Sequence, residues 1–216
     1  VTVAIGTNPA SGTLSGTTAV AAVGGVAVCS PLRIDNVGSN YPLSATAAGV
    51  TEATSAAFDV TPGSTELLVF TVQPTAAIAG DPITPAVVVT ARDGLGNPVT
   101  TFTGNVTVEI TVGTGTPGAN LLGPRTVAAV AGVATFPMLS VNRSATGYTL
   151  SAKSPGFADV TSNPFDVAAG PVTQLVFTAP PVTTTAGVVF SPVQVAAQDS
   201  LGNTVPGFTD AVTLTI

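Results

Sequence analysis

The chain has 216 residues, of which 45% are apolar but only 5% aromatic and 7% charged, with a net charge of −6. The five basic residues (Arg33, Arg92, Arg125, Arg143 and Lys153) are scattered, so no patch holds phosphates and no nucleic-acid partner is expected. Histidine is absent, which excludes Ser-His triads and histidine metal centres. No phosphate-loop glycine pattern occurs and no cofactor is expected.

Valine and threonine suit a pleated surface, while 23 glycines and 18 prolines mark frequent turns. No helical period is visible, and an all-β fold follows. Val1 to Ile5 alternates as a short strand. Ala19 to Cys29 is the most apolar run, but Gly24-Gly25 breaks it as a hairpin turn and it is too short to span a membrane. No signal peptide is visible, which suggests a mature or internal segment of something larger.

Cys29 is the sole cysteine, so an intrachain disulfide is impossible. It aligns with Phe136, 107 residues on, and reads as a small buried core residue. An interchain bridge or a lipid-bearing cysteine is the alternative, although Val26-Ala27-Val28-Cys29 only weakly mimics a lipidation box. Tyr41 follows the loop 37–40 and precedes alternating apolar positions. It has the placement of a tyrosine corner, in which the hydroxyl bonds upstream backbone; an ordinary core tyrosine is the other reading.

Glu66 to Gln73 is the next strand, and Ala79-Gly80-Asp81-Pro82 a turn. Ala86 to Arg92 is a strand with Val87, Val89 and Ala91 on one face. Asp93-Gly94-Leu95-Gly96-Asn97 is a turn, followed by a short strand carrying Phe102. Val106, Val108 and Ile110 then alternate with Thr107 and Glu109. Residues 111–124 form a long Gly/Pro/Thr loop. Arg125 to Val130 and Val133 to Met138 read as a hairpin about Ala131-Gly132. Tyr148, Leu150 and Ala152 face inward on the next strand, and residues 160–167 close the unit.

These elements recur. Phe58-Asp59-Val60 returns as Phe165-Asp166-Val167, 107 residues later, and Leu68-Val69-Phe70-Thr71 returns as Leu175-Val176-Phe177-Thr178 at the same spacing. A period of this size is that of a whole sandwich domain rather than a solenoid repeat. Val1 to Ile5, Val106 to Ile110 and Val212 to Ile216 match one another. Residues 1–63 therefore read as the C-terminal half of a repeat, 64–170 as a complete sandwich and 171–216 as an N-terminal half.

Neither half would bury its apolar face alone. Two arrangements answer this: a long covalent array, or chains joined head to tail by strand complementation. In both, the expected partners are neighbouring repeats or copies of the chain.

Asp93-Gly94-Leu95-Gly96-Asn97-Pro98-Val99, with the later Ala131-Gly132-Val133-Ala134-Thr135-Phe136, resembles bacterial Ig-like repeat domains, including those of the invasin/intimin type. That resemblance implies tandem immunoglobulin-like β-sandwiches on a secreted or surface-exposed protein, with no catalytic residue. Repeat one departs from the pattern, with Val28-Cys29 in place of Thr135-Phe136.

Carboxylates are the only candidates for acid/base work, and their recurrence once per repeat favours a scaffold role over an active site. Asp93 and Asp199 are weak calcium candidates, since their turns supply few oxygens; turn capping is the simpler role. Asn105 and Asn142 match the N-glycosylation pattern, making glycans conceivable modifications. The expected function is a non-enzymatic structural segment of an extracellular or cell-surface fibre. An adhesin gripping a receptor or glycan through domain loops is the alternative, weakened by the scarcity of aromatic residues in those loops.

Overall fold

The structure, a computed structural model, describes residues 1–215; Ile216, the last residue of the expected final strand, lies outside them. The described residues are all-β, with 21 short strands and no helix. They form two compact units: residues 1–67 with 91–102, and residues 68–90 with 103–215. These units do not coincide with the sequence repeats, because the turn 91–102 gathers with the first unit.

The middle repeat builds two principal sheets. In one, Val87–Arg92 lies between Val133–Phe136 and Leu67–Val72. In the other, the order is Thr126–Ala128, Asn105–Ile110, Leu150–Lys153 and Val160–Thr161. Ala145–Tyr148, Phe165–Ala168 and Ala77–Ile78 form a further three-stranded sheet, whose last pair is parallel, with Val167 opposite Ala77.

Alternation decides which residues go inside. Val87, Val89, Val106, Val108, Leu150 and Ala152 are all buried, as the period-2 pattern requires. Phe136 and Leu139 join them, as expected of two sheets sharing a valine-rich core. The outward faces carry Thr107 and Thr126, whose hydroxyls share a hydrogen bond of 2.8 Å. Beside them Lys153 Nζ donates to Glu109 Oε2 at 2.7 Å, a half-exposed pair of small energetic weight.

Both tyrosines are corners. The Tyr148 hydroxyl donates to the Arg143 carbonyl at 2.9 Å, and that of Tyr41 donates to the Asn36 carbonyl at 3.0 Å. Each is fully buried and tilted against a phenylalanine: Phe165 for Tyr148, with ring centroids 5.9 Å apart, and Phe58 for Tyr41, at 6.4 Å. Gly115 lies against the Tyr148 ring with φ of +65°, and a Cβ there would collide with the ring. The long loop is thereby folded onto the sandwich; Thr116 N also donates to the Tyr148 hydroxyl, at 3.3 Å.

Several expectations need correction. The hairpin about Ala131-Gly132 has the turn, with φ of +49° and +80°, but its arms share only the Val130–Val133 bridge. They then part to different sheets, Val127 pairing with Val106 and Phe136 with Val87, because each arm's apolar residues are buried only there. Phe102 lies outside any strand, since its amide closes a turn onto the Val99 carbonyl. Within the long loop, Leu121–Leu122 is a strand paired with Ser140–Val141.

Cys29 is not a core residue in this structure: it is half-buried, whereas its counterpart Phe136 is fully buried. The physical reason is pairing. Phe136 is held by Val87–Arg92, but no strand of the described residues lies against residues 27–29.

The first unit nonetheless repeats the pairings of the second. Thr2–Ile5 aligns with Leu43–Thr46, Ile5 opposite Leu43, as Ile110 stands opposite Leu150. In the final repeat Gln174–Ala179 pairs with Gln194–Gln198, setting Phe177 opposite Val195. Burial differs sharply between equivalents. Leu68 and Phe70 are 3% and 5% exposed, whereas Leu175 and Phe177 are 50% and 52% exposed.

Two substitutions test this account of the core. Phe136→Ala is expected to cost about 3–5 kcal/mol through transfer and cavity terms. Tyr148→Phe removes one neutral hydrogen bond and is expected to cost about 0.5–1.5 kcal/mol. Urea unfolding measures both, and equal costs would contradict the roles given to the two side chains.

Candidate functional site

The most organised polar cluster surrounds the turn Asp93 to Asn97, and it recurs at Asp199 to Asn203. The turn forms because Gly96 and Gly202 adopt φ of +89° and +80°, and because the aspartate caps the backbone that follows it. Asp93 Oδ1 accepts from the amides of Leu95 at 3.0 Å and Asn97 at 2.8 Å. Asp199 Oδ1 accepts likewise from Leu201 at 2.9 Å and Asn203 at 2.8 Å.

The remaining bonds reach back into the preceding repeat. Asp93 Oδ2 accepts from the Gly63 amide at 3.0 Å, in the segment that links repeat one to repeat two. Asn97 Nδ2 donates to the Asp35 carbonyl at 2.9 Å, while its Oδ1 accepts from the Val37 amide at 3.2 Å.

The second joint reproduces each contact 107 residues along on the preceding repeat. Asp199 Oδ2 accepts from the Gly170 amide at 2.9 Å. Asn203 Nδ2 donates to the Asn142 carbonyl at 3.1 Å, and its Oδ1 accepts from the Ser144 amide at 3.0 Å. Each asparagine spends both ends of its amide on the neighbouring repeat's backbone. Asn97 Nδ2 also bonds Asp93 Oδ2 at 3.1 Å, and Asn203 Nδ2 bonds Asp199 Oδ2 at 2.9 Å, so carboxylate and amide form one fastener.

Burial pushes the carboxyl groups of Asp93 and Asp199 upward, but hydrogen bonds outweigh it. For Asp93 these come from the Gly63 amide, the Asn97 side chain and the Asn97 and Leu95 amides; the net result lies below the usual carboxylate range. For Asp199 the Asn203 side chain comes first, then the amides of Gly170, Asn203 and Leu201, again with a net lowering. The oxygens that made these aspartates calcium candidates thus face N–H donors, and a cation there would have to displace them. Among the described residues no three His, Cys, Asp or Glu side chains converge as a metal site.

The two glycosylation candidates differ in setting. Asn105 is exposed at the start of its strand, opposite Ala128. Asn142 belongs to the second joint: its Oδ1 accepts from the Asn120 amide at 2.7 Å while its carbonyl receives Asn203. Sequence reading placed the aspartates in capping turns but overlooked Asn97 and Asn203 as fasteners. The available signal was an asparagine repeated at the same place in a turn that needed no second polar side chain.

No known protein-family profile matches the chain, and no curated protein matches it. Among solved structures it is similar to surface layer protein SbsC, domains 4–9, with 21% identity over 83% of this chain and 27% of that one, at a TM-score of 0.33. It is also similar to a β-glucuronidase from glycoside hydrolase family 2, with 18% identity over 80% of this chain and 18% of that one, at a TM-score of 0.39. A β-glycosidase from Bacteroides vulgatus is 11% identical over 71% of this chain and 21% of that one, at a TM-score of 0.40. The chain thus spans a small part of these proteins, from 15% to 27% of the solved chains it matches.

Acid is expected to loosen both joints. Their aspartates ionise more readily folded than unfolded, so the stabilisation is present above the unfolded value of about 3.8 and is lost as pH falls through the lowered folded values. The thermal midpoint, followed by scanning calorimetry, should therefore fall as pH is lowered through and below that unfolded value. Asp199→Asn should cost about 1.5–3 kcal/mol at neutral pH, the worth of hydrogen bonds to a charged group, and should flatten part of that acid slope. An unchanged slope in this variant would contradict the assignment.

Proposed function

We propose that this chain is a structural, non-enzymatic segment of an extracellular or cell-surface fibre made of tandem immunoglobulin-like sandwiches. The observation that carries this reading is the fastener, built twice from equivalent residues at successive joints. A flexible linker would leave neighbouring domains free to reorient. Here the short link at Gly63 or Gly170 is tied to an aspartate, and the asparagine four residues on in the same turn holds the neighbour's loop. Fixing the same joint each time converts identical beads into a member of constant geometry.

The composition supports an external setting. A surface rich in threonine and serine with 7% charged residues relies little on charge for solubility. Recurring carboxylates are consumed by turns and joints, which leaves the sequence's acid/base candidates in scaffold roles.

Electron micrographs of the purified protein and of the surface of cells producing it test this reading. Regular beads in rods, at a spacing of one sandwich, are the expected result. Isolated globules together with confinement to the cytoplasm would overturn it. Asn97→Ala combined with Asn203→Ala should keep the beads but increase the spread of angles between neighbours.

A further inference from the structure

The turn Asp199 to Asn203 grips the preceding repeat through its polar ends, the linker at Gly170 through Asp199 and the loop 142–144 through Asn203. Two anchors of this kind leave one motion open, a rocking about the line that joins them. Hydrogen bonds resist it poorly, since they weaken steeply only when the donor angle falls below about 120°.

Between the two anchors the turn carries a leucine whose side chain the fastener does not use. Leu201 lends its amide to Asp199, while its side chain, 48% exposed, lies against Gly80 of the middle repeat. A Cβ at Gly80 would stand 3.0 Å from Leu201 Cδ1 and 4.0 Å from its Cγ. The first of these is tighter than the separation of about 3.5–4.0 Å at which carbon atoms rest. Gly80 also holds φ of +88°, so the turn 79–82 calls for glycine and thereby offers a notch.

That notch is tied to the two polar anchor sites. The Gly80 amide donates to the Val141 carbonyl at 2.9 Å, next to the Asn142 carbonyl that Asn203 holds. The Ala79 amide donates to the Ala168 carbonyl at 2.8 Å, close to the Gly170 amide that Asp199 holds. Ile78 lies beside the linker too, with Cγ2 3.8 Å from where a Gly170 Cβ would be. Turn, loop and linker of the middle repeat are joined by their own backbone bonds into one platform.

The geometry points to Leu201 as a positioning residue of the joint, whose side chain seats at Gly80 and stops the rocking that the polar anchors leave open. This rests on the fibre reading above and names the contact that sets the angle between repeats. Contacts on three separate segments hold one body on another where two leave a hinge. An apolar contact suits the third place, because close-packed carbon atoms resist further approach steeply. Truncating the side chain removes the stop and spares the fastener, to which Leu201 gives only its amide. A large apolar residue in the middle of a turn otherwise made of glycine and polar residues has its reason here.

Paired nitroxide labels in the full chain test this. Cys29→Ser removes the native thiol, and Val130→Cys in the middle repeat and Thr178→Cys in the last carry the labels at exposed positions. Pulsed electron resonance reads the spread of distances across the joint. The parent should give one narrow distribution, and Leu201→Ala should roughly double its width, as the freedom usual between domains returns. Leu201→Met, apolar and of similar reach, should restore the narrow distribution. Circular dichroism should find nearly the same thermal midpoint in all three, since the side chain is half exposed.

An unchanged width in Leu201→Ala overturns the inference, as does a parent already as broad as that variant. Broadening that Leu201→Met fails to reverse, or that comes with a large fall in the midpoint, overturns it as well, because it marks a general loss of folding. Rods in micrographs with an unchanged width would keep the fibre reading and reject the stop. The expected widths without rods would keep the stop and reject the fibre reading.

Discussion

A sheet with one apolar face is incomplete until a second sheet covers it, and this constraint governs every part of the chain. Water is excluded from Val106, Val108, Leu150 and Ala152 because the middle repeat supplies both layers. Near-identical residues in the outer repeats stay half exposed. Burial of a large apolar side chain contributes roughly 1.5–3 kcal/mol, and Leu68 and Phe70, almost wholly buried, each add on that order to the middle repeat. Composition sharpens the dependence. Aromatic side chains are few, and the Lys153–Glu109 ion pair is half-exposed and of modest weight, so apolar packing in which valine recurs is the main source of cohesion.

Within that frame the tyrosine corners and the turn fasteners divide the remaining work. Tyr41 and Tyr148 bind loop backbone to the sandwich from inside, each through one hydroxyl and one buried ring. The aspartate-asparagine pairs act at the surface between repeats and address backbone groups almost exclusively. Backbone recognition needs no particular side chain on the partner, so Asp35 and Asn142 serve equally through their carbonyls. Their side chains still act alike, since Asp35 Oδ1 accepts from the Thr13 amide at 2.6 Å as Asn142 Oδ1 accepts from Asn120. The Asp35 carboxyl is held below its ordinary range by that amide bond in the first place.

Much of the architecture was legible in the sequence where period-2 alternation was strong. Val87, Val89 and Ala91, and again Val106 and Val108, declare their buried face with no help from long-range contacts. A loop followed by an alternating strand made the tyrosine corner one of two readings, the other an ordinary core tyrosine, and only the hydroxyl bonds to the Asn36 and Arg143 carbonyls decide between them. The divergence of the arms after Ala131-Gly132 was not legible, because a hairpin turn specifies a local reversal and leaves open which sheet each arm joins. The parallel pairing of Ala77–Ile78 was hidden for a similar reason: two residues carry no period. Cys29 misled because its alignment with Phe136 reported a place in the repeat, while burial also requires the strand that pairs with it. Asn97 and Asn203 looked like ordinary turn residues, since their partners lie about sixty positions away.

Among the described residues the fastener carboxylates are met by amide groups rather than by the side chain of a lysine or arginine. Dissolved salt weakens attraction between exposed opposite charges over a distance of about 10 Å at 0.1 M, and it has little purchase on short bonds from a largely buried carboxylate to peptide N–H groups. A fastener of this kind holds from dilute water to brine. Acidity, which removes the charge on the aspartate itself, is the solvent variable to which it remains responsive.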